Sequence, residues 1–429
     1  MNSKWKEFII SEVCESIIDC VNKTAKTVHE PTEYKMIRTT NVKNGWIDVD
    51  NVRYVSKEVY DKWTRRIKPQ KEDIILTREA PLGEVGLVRT DDKIFLGQRT
   101  ILYRANTKMA NAKFLYYTFL SEIVQGQFQS FGSGSTVEHI RIKDCETFKV
   151  YIPNIEIQKI IAKTLSTYDD LIEINNNRIR LLEDTVQQLY KEWFVRMRFP
   201  GYKRVKFEKG IPKTWKIESL KQHIVIMRGK SYTSEEIDDS FGDNAFINLK
   251  NMKRGGGFRL GGTKYFTGKF KKEQVVFPGD IVMAVTDMTQ DRLIVGRVAR
   301  VPLTEHREYV FSLDIVKLVP QSLQSDFLYS TLRFNYYGEH IAQFANGTNV
   351  LHLNPELLRK ESIIIPDKDL IDRFVSISKP IYEQIDILAI QIEHLRQIRN
   401  RLLPRLISGK LELKIEKHKK ESTCLINAS

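Results

Sequence analysis

With 429 residues, 41% hydrophobic and 28% charged, the chain is long enough for two or three domains that each bury a core, which excludes global disorder. The formal net charge of +14 and a pI near 9.3 suit phosphate backbones or anionic membrane surfaces. A transmembrane span of ~20 apolar residues, a signal peptide and a disulfide scaffold are excluded: no run is long enough, the opening MNSKWKEF has no apolar centre, and Cys14, Cys20, Cys145 and Cys424 are few and scattered. A reducing cytoplasm is the default location. Cys14 and Cys20 have no nearby His or Cys, so they read as buried or half-buried thiols and no metal site is expected.

Residues 1–153 read as a mixed α+β globule. Short β-rich runs, Asp73-Ile-Ile-Leu76, Gly86-Leu-Val88 and Ile101-Leu-Tyr103, alternate with Gly and polar turns. Its polar and basic clusters are candidates for reading nucleic acid: Arg38, Asn41 and Lys43; Thr77 and Arg78; Gln98 and Arg99; Ser133, Ser135 and Thr136. Arg can pair with guanine, Asn or Gln with adenine, and Ser or Thr with bases or phosphates.

Residues 154–200 read as a long spacer helix. Ile161, Leu165, Tyr168, Ile172, Asn175, Ile179, Leu182, Val186, Leu189 and Trp193 follow alternating steps of four and three, a coiled-coil seam. Asn154 is placed to cap the first turn, and the helix is expected to end near Pro200-Gly201. Within the seam, Asn175 is either a register device or a residue solvated at a bend.

Residues 201–366 read as a second globule with the same texture, marked by Asp280-Ile-Val-Met283, Val295-Gly-Arg-Val298 and Ile315-Val-Lys-Leu318. Its candidate nucleic-acid contacts are Asn248, Lys250, Asn251, Lys253 and Arg254; Thr286, Gln290 and Arg292; Asn346, Thr348 and Asn349. The stretch Gly255 to Gly262 reads as a loop. Gly229-Lys230-Ser231 resembles the end of a P-loop, but Ile224 stands where the first glycine belongs. Residues 367–409 form the second spacer helix, with a seam of Phe374, Ser378, Ile381, Ile385, Leu388, Ile392, Leu395, Arg399, Leu402 and Leu406. Pro380 is expected to kink it, and Pro404 to do so near its end. Residues 410–429 read as a frayed tail.

The halves repeat one another. FGSGSTVEHIRIKDCETFKVYIP, from Phe131, aligns without a gap on FANGTNVLHLNPELLRKESIIIP, from Phe344, at an offset of 213 residues. Near the starts of the halves an offset of 210 pairs Trp5 with Trp215 and Asn41 with Asn251. Acidic and basic side chains nearly balance in both spacer helices, so the globules carry the positive excess. A duplicated basic protein is most simply one that touches a target at two related places, and two half-sites on a duplex fit best.

The nearest catalytic patterns in the chain are incomplete. Asn354-Pro355-Glu356-Leu357 is the nearest approach to the Asn/Asp-Pro-Pro-aromatic tetrad that family resemblance assigns to amino-methyltransferases, and it lacks the second proline and the ring. Pro366-Asp367 followed by Glu412 and Lys414 superficially suggests a nuclease metal site, but the repeat places Asn154 opposite Asp367. His139 and His352 recur without an evident carboxylate or nucleophile, which favours core or turn packing.

The segments that close the two helices, Gln188-Leu-Tyr-Lys-Glu-Trp-Phe-Val-Arg-Met-Arg-Phe-Pro-Gly201 and Leu402-Leu-Pro-Arg-Leu-Ile-Ser-Gly-Lys410, resemble shared regions of the specificity subunits of type I restriction-modification systems. Trp5 and Pro212-Lys-Thr-Trp215 fit the starts of that family's recognition domains. The resemblance implies an α+β fold with two globular target-recognition domains, each followed by a long helix, the helices pairing as an antiparallel coiled coil with pseudo-twofold symmetry. It implies a cytoplasmic, non-catalytic double-stranded DNA-binding subunit that reads a bipartite asymmetric target. Two methyltransferase subunits and two restriction/translocase subunits are the implied partners. No cofactor is expected in this chain, and S-adenosylmethionine, ATP and Mg2+ are expected on the partners. Two rival readings are a self-contained DNA methyltransferase or nuclease with divergent motifs, and a pure coiled-coil scaffold. No family motif transfers onto individual base contacts.

Overall fold

The structure, a computed structural model, describes residues 5–132, 138–238, 242, 244–304, 306 and 308–411. The chain forms two compact units, one from residues up to Leu171 together with those from Leu395, the other Ile172–His394. This division differs from the boundaries expected at 153, 200, 366 and 409, because each long helix is shared between the units. The seam side chains are the physical reason: they complete the globules' own cores. In the first unit Ile161, Ala162, Leu165, Leu403, Leu406 and Ile407 join one core with Phe114, Tyr116 and Phe148. In the second, Val186, Tyr190, Trp193 and Phe194 join Phe327, Leu370, Phe374 and Tyr382.

The first unit is built on an antiparallel four-stranded sheet in the order Cys14–Asp19, Thr100–Ala105, Ile74–Arg78, Leu82–Leu87. Its central strands are apolar without alternation because both faces are covered. Ile74, Leu76, Ile101 and Tyr103 face the core beneath helices Ala112–Phe119 and Glu122–Gly132, whereas Ile75, Leu102, Val88 and Ile37 form a separate core on the other side. A second sheet runs Lys93–Leu96, Tyr34–Ile37, Arg53–Val55, Thr27–Val28, the first pair parallel.

The second unit repeats this plan down to its register. Its main sheet runs Ile224–Arg228, Ile315–Pro320, Ile281–Ala284, Val298–Arg300, with Ile281 and Met283 facing one core and Val282 and Ala284 another. Ile74 pairs with Tyr103 as Ile281 pairs with Leu318, and Tyr34–Ile37 lies parallel to Lys93–Leu96 as Asn244–Ile247 lies parallel to Tyr309–Phe311. A two-stranded ladder closes each globule, Lys6–Ile9 with Lys149–Ile152 and Lys216–Ser219 with Ser362–Ile365.

The first long helix spans Ile155–Tyr190. The Ile157 amide donates to Asn154 Oδ1 at 3.0 Å, the expected cap. The helix then widens into a π turn, Lys191–Val195, which carries Trp193 and Phe194 into the aromatic core. The second helix runs from Lys368 to Ile407 through Pro380 and Pro404, so neither proline interrupts it. Pro380 is exposed, and the flanking Ser378 and Tyr382 remain buried. Gly409, at φ 68°, adopts the left-handed conformation just beyond this helix.

Every seam position named above is buried or half-buried. Asn175 is 6% exposed and its Nδ2 donates to Gln391 Oε1 at 3.3 Å, which removes the solvated alternative. Burial pushes the Cys14 thiol up to about 12 and that of Cys145 to about 11. Among the described residues no helix is long and apolar enough to cross a membrane, and no group of His, Cys, Asp and Glu could hold a metal ion.

Candidate nucleic-acid interface

In the first unit the sequence clusters come together through backbone bonds. The strand Ile74–Arg78 turns at Glu79-Ala80-Pro81 into Leu82–Leu87. Thr39 Oγ1 donates to Ala80 O at 2.9 Å, which ties the Arg38–Lys43 loop to that hairpin tip. The Gly97 amide donates to Ile37 O at 2.7 Å, and a Cβ at Gly97 would lie 2.7 Å from that oxygen. Glycine therefore lets the Gln98-Arg99 turn pass against Arg38. The Arg78 amide donates to Arg99 O at 2.8 Å, and the Ile140 amide to Arg78 O at 2.9 Å. Ser133, Ser135 and Thr136 lie outside the described residues.

What faces outward is a subset of these residues. Lys43, Gln98 and Arg99 are exposed, and Arg99 is balanced by Glu79 at 3.2 Å. Arg38 and Arg78 are half-buried, each with a buried Nε that has no hydrogen-bond partner among the described residues. Burial, followed by the charge of Arg53, pushes the Arg38 guanidinium below its ordinary range. Arg53, exposed beside Arg38, was missed in the sequence because it belongs to no cluster.

The second unit gathers its clusters likewise. Thr286-Asp287 pairs with Leu351-His352, Gln290 Nε2 donates to Gly347 O at 3.3 Å and Thr348 O at 3.0 Å, and Arg292 Nη2 donates to Ala345 O at 3.5 Å. The Gly255 amide donates to Leu293 O at 2.8 Å, bringing in the segment that carries Lys253 and Arg254. Lys250, Arg254, Gln290, Asn346, Thr348 and Asn349 are exposed; Lys253 is half-buried and pairs with Glu183 at 3.5 Å. Met288, at 68% exposure, immediately follows Asp287 at the start of the loop that leads to Leu293.

Five expected contacts prove to be internal. Asn41 is buried, accepts the Arg38 amide at 3.1 Å and donates to Asn51 O at 2.8 Å. Asn251 does the same one repeat later, accepting the Asn248 amide at 2.9 Å and donating to Arg259 O at 3.1 Å. Asn248 is buried and accepts the Lys250 amide at 2.8 Å. Thr77 is buried, donates to Pro81 O at 2.6 Å and accepts the Glu84 amide at 3.0 Å; buried Thr286 donates to Asp314 Oδ1 at 3.1 Å. Their polar capacity is spent on holding the loops in shape. Of the two roles expected for the histidines, core packing falls away, because His139 and His352 are both exposed. His352 instead exchanges backbone bonds with Asn346.

A residue the sequence did not single out organises the second loop. Asp287 is fully buried, and its carboxylate accepts the Thr289 amide and hydroxyl, both at 3.0 Å, the Ile294 amide at 2.9 Å and the Val295 amide at 3.3 Å. Burial raises its pKa, but the bonds from Ile294, Thr289 and Val295 outweigh that and hold the carboxyl below its ordinary value. Each globule therefore presents exposed cations and amides on loops held by buried polar groups, an arrangement suited to a phosphate backbone and base edges.

Residues 2–184 match the family described as the type I restriction modification DNA specificity domain. The type I restriction enzyme MjaIX specificity subunit of Methanocaldococcus jannaschii is 25% identical over 370 residues, which cover 84% of this chain and 82% of that protein. The HindI specificity subunit of Haemophilus influenzae is 21% identical, covering 95% of this chain and all of its own. The crystal structure of a type I restriction-modification S subunit from M. genitalium has a TM-score of 0.52 at 17% identity over 95% of this chain and 97% of that one, a likeness of fold. The first globule and the start of its closing helix thus match the DNA specificity domain of type I restriction-modification systems, and nearly the whole chain is similar to type I specificity subunits.

Proposed function

We propose that this chain is the sequence-specific double-stranded DNA-binding subunit of a type I restriction-modification complex, and that each globule reads one half of a bipartite, asymmetric target. The observation that carries this is the gathering of separate polar clusters into one place in each copy of a duplicated globule, with Asn41 and Asn251 shaping equivalent loops. The family is the non-catalytic, DNA-recognition component of its complexes. In our reading two methyltransferase subunits methylate adenine N6 and two translocase-nuclease subunits restrict, so that S-adenosylmethionine, ATP and Mg2+ belong to those partners, in the cytoplasm.

The long helices act in this reading as an antiparallel ruler. Supporting it, Asp169 meets Arg399 in the first unit and Asn175 meets Gln391 in the second, so the number falls along one helix as it rises along the other. A 40-residue helix is about 60 Å long, enough for half-sites about 34 to 36 Å apart. Inserting one heptad into each helix should lengthen the preferred gap and leave both half-sites unchanged when the complex with its methyltransferase is scored on a DNA library. An unchanged gap would remove the ruler. Methyl transfer to DNA by the purified chain alone would instead favour the self-contained methyltransferase.

A further inference from the structure

Each globule is joined to the long helix that follows it by a contact between a half-buried arginine and a buried aspartate, at neighbouring rather than identical positions of the repeat. Arg89 lies just beyond the strand Leu82–Leu87, with Nη2 3.1 Å from Asp169 on the first helix and Nη1 3.4 Å from Asp170. Its guanidinium lies over the Trp46 ring at 4.5 Å. The same Asp169 carboxylate accepts the Tyr117 hydroxyl and Arg399 Nη1, both at 2.6 Å, so globule and both helix segments of this unit meet at one fully buried group. In the second unit Arg300 ends the strand Val298–Arg300, donating to Asp386 on the second helix at 2.8 Å and to Asp326 at 3.3 Å. It lies over Tyr382, whose hydroxyl is 2.8 Å from Ser330 Oγ. Leu87 and Arg300 are equivalent by register, opposite Ile74 and Ile281, and Arg89 is two residues farther on.

The placement along the strands gives these contacts a mechanical consequence. Leu82–Leu87 begins at the Ala80-Pro81 tip, which the Arg38–Lys43 loop touches, and ends at the Arg89 contact. Val298–Arg300 likewise follows the loop that Asp287 organises and ends at the Arg300 contact. Leu82–Leu87, six residues, is a stiff arm of about 20 Å, and a tilt of about 10° at its base moves the tip by about 3.5 Å, close to the ~3.4 Å step between base pairs. The three-residue Val298–Arg300 is about 10 Å long and its tip moves about half as far. Apolar contacts are non-directional and constrain such a tilt less sharply than a fixed hydrogen-bond geometry. A hydrogen-bonded ion pair to a buried carboxylate is directional and resists the tilt.

We propose that Arg89 and Arg300 are positioning residues that fix the angle of each recognition globule on its helix and so restrict the subunit to one gap length between half-sites. The inference rests on the reading of the chain as a bipartite DNA-recognition subunit. The test compares the parent with R89M and R300M, each assembled with the methyltransferase. All are scored by adenine-N6 methylation of a library randomised at both half-sites and in the gap length. The expected result is unchanged base preference at both half-sites, with methylation at gaps one base pair longer or shorter rising roughly tenfold relative to the parent gap. R89K and R300K, which keep the charge but not the planar fork, should broaden the gap less, and they carry the comparison if the methionine variants fail to assemble. A bipartite parent whose variants keep its sharp gap preference overturns this inference alone. Altered base preference at a constant gap also overturns it, and a parent without any bipartite preference overturns the functional reading as well.

Discussion

Asp169→Ala is expected to destabilise the first unit by about 3–5 kcal/mol, because it removes the anion from a buried cluster and leaves its partners in place. Arg399 would remain buried without its carboxylate, half-buried Arg89 would keep only the exposed Asp170, and the Tyr117 hydroxyl would lose its acceptor. Burial and the adjacent carboxylate hold Tyr117 well above the usual phenol range, so it cannot relieve the cluster by ionising. For a unit of this size the loss corresponds to a fall of about 10 °C in the unfolding transition. Differential scanning calorimetry of the variant measures it. Asp169→Asn keeps an acceptor and the shape, so its loss should be smaller. Equal transitions for parent and Asp169→Ala would show that the cluster contributes no net stability.

Asp287→Ala is expected to abolish discrimination at one half-site and leave the other intact. Four hydrogen bonds end on this carboxylate, and without it the Thr289, Ile294 and Val295 amides lose the acceptor that shapes the loop carrying Met288, Gln290 and Arg292. Losing a set of base contacts at about 1–3 kcal/mol each should weaken cognate binding by about 100-fold. Fluorescence-anisotropy titration with duplexes altered in one half-site at a time reads this directly. Equal losses at both half-sites would sink the assignment of one globule to one half-site. The pH dependence has a definite sign. The folded carboxyl is held below its ordinary value of 3.8, so its contribution is complete above that value and is lost only as pH falls through the depressed folded value. Half-site discrimination should therefore be flat between pH 6 and 8 as far as Asp287 is concerned.

The duplication and the helices were legible because both leave periodic marks. Trp5 and Trp215, or Asn41 and Asn251, repeat at one offset, and a seam stepping by four and three declares its buried face without knowledge of its partner. The roles of the polar loop residues were not legible. Asn41, Thr77, Asn251 and Thr286 look like surface contacts in sequence, because an amide or hydroxyl that satisfies a neighbouring backbone group has the same composition as one that faces solvent. Asp287 was overlooked for the same reason in reverse: one aspartate in a polar loop carries no periodic or spacing signal. Arg399 stood out only as an interruption of the seam, since Asp169, the group that makes it tolerable there, lies 230 positions away. The division into units was equally hidden, because the globule surfaces that receive each helix are assembled from strands and short helices distant in sequence.

Mapping N6-methyladenine across the genome of cells carrying this chain and its partner methyltransferase tests the central claim most directly. The account requires a single bipartite, asymmetric motif, with one methylated adenine in each half and a gap of constant length, lost when this chain is deleted. A contiguous motif, methylation without sequence preference, or a pattern that survives the deletion would contradict it.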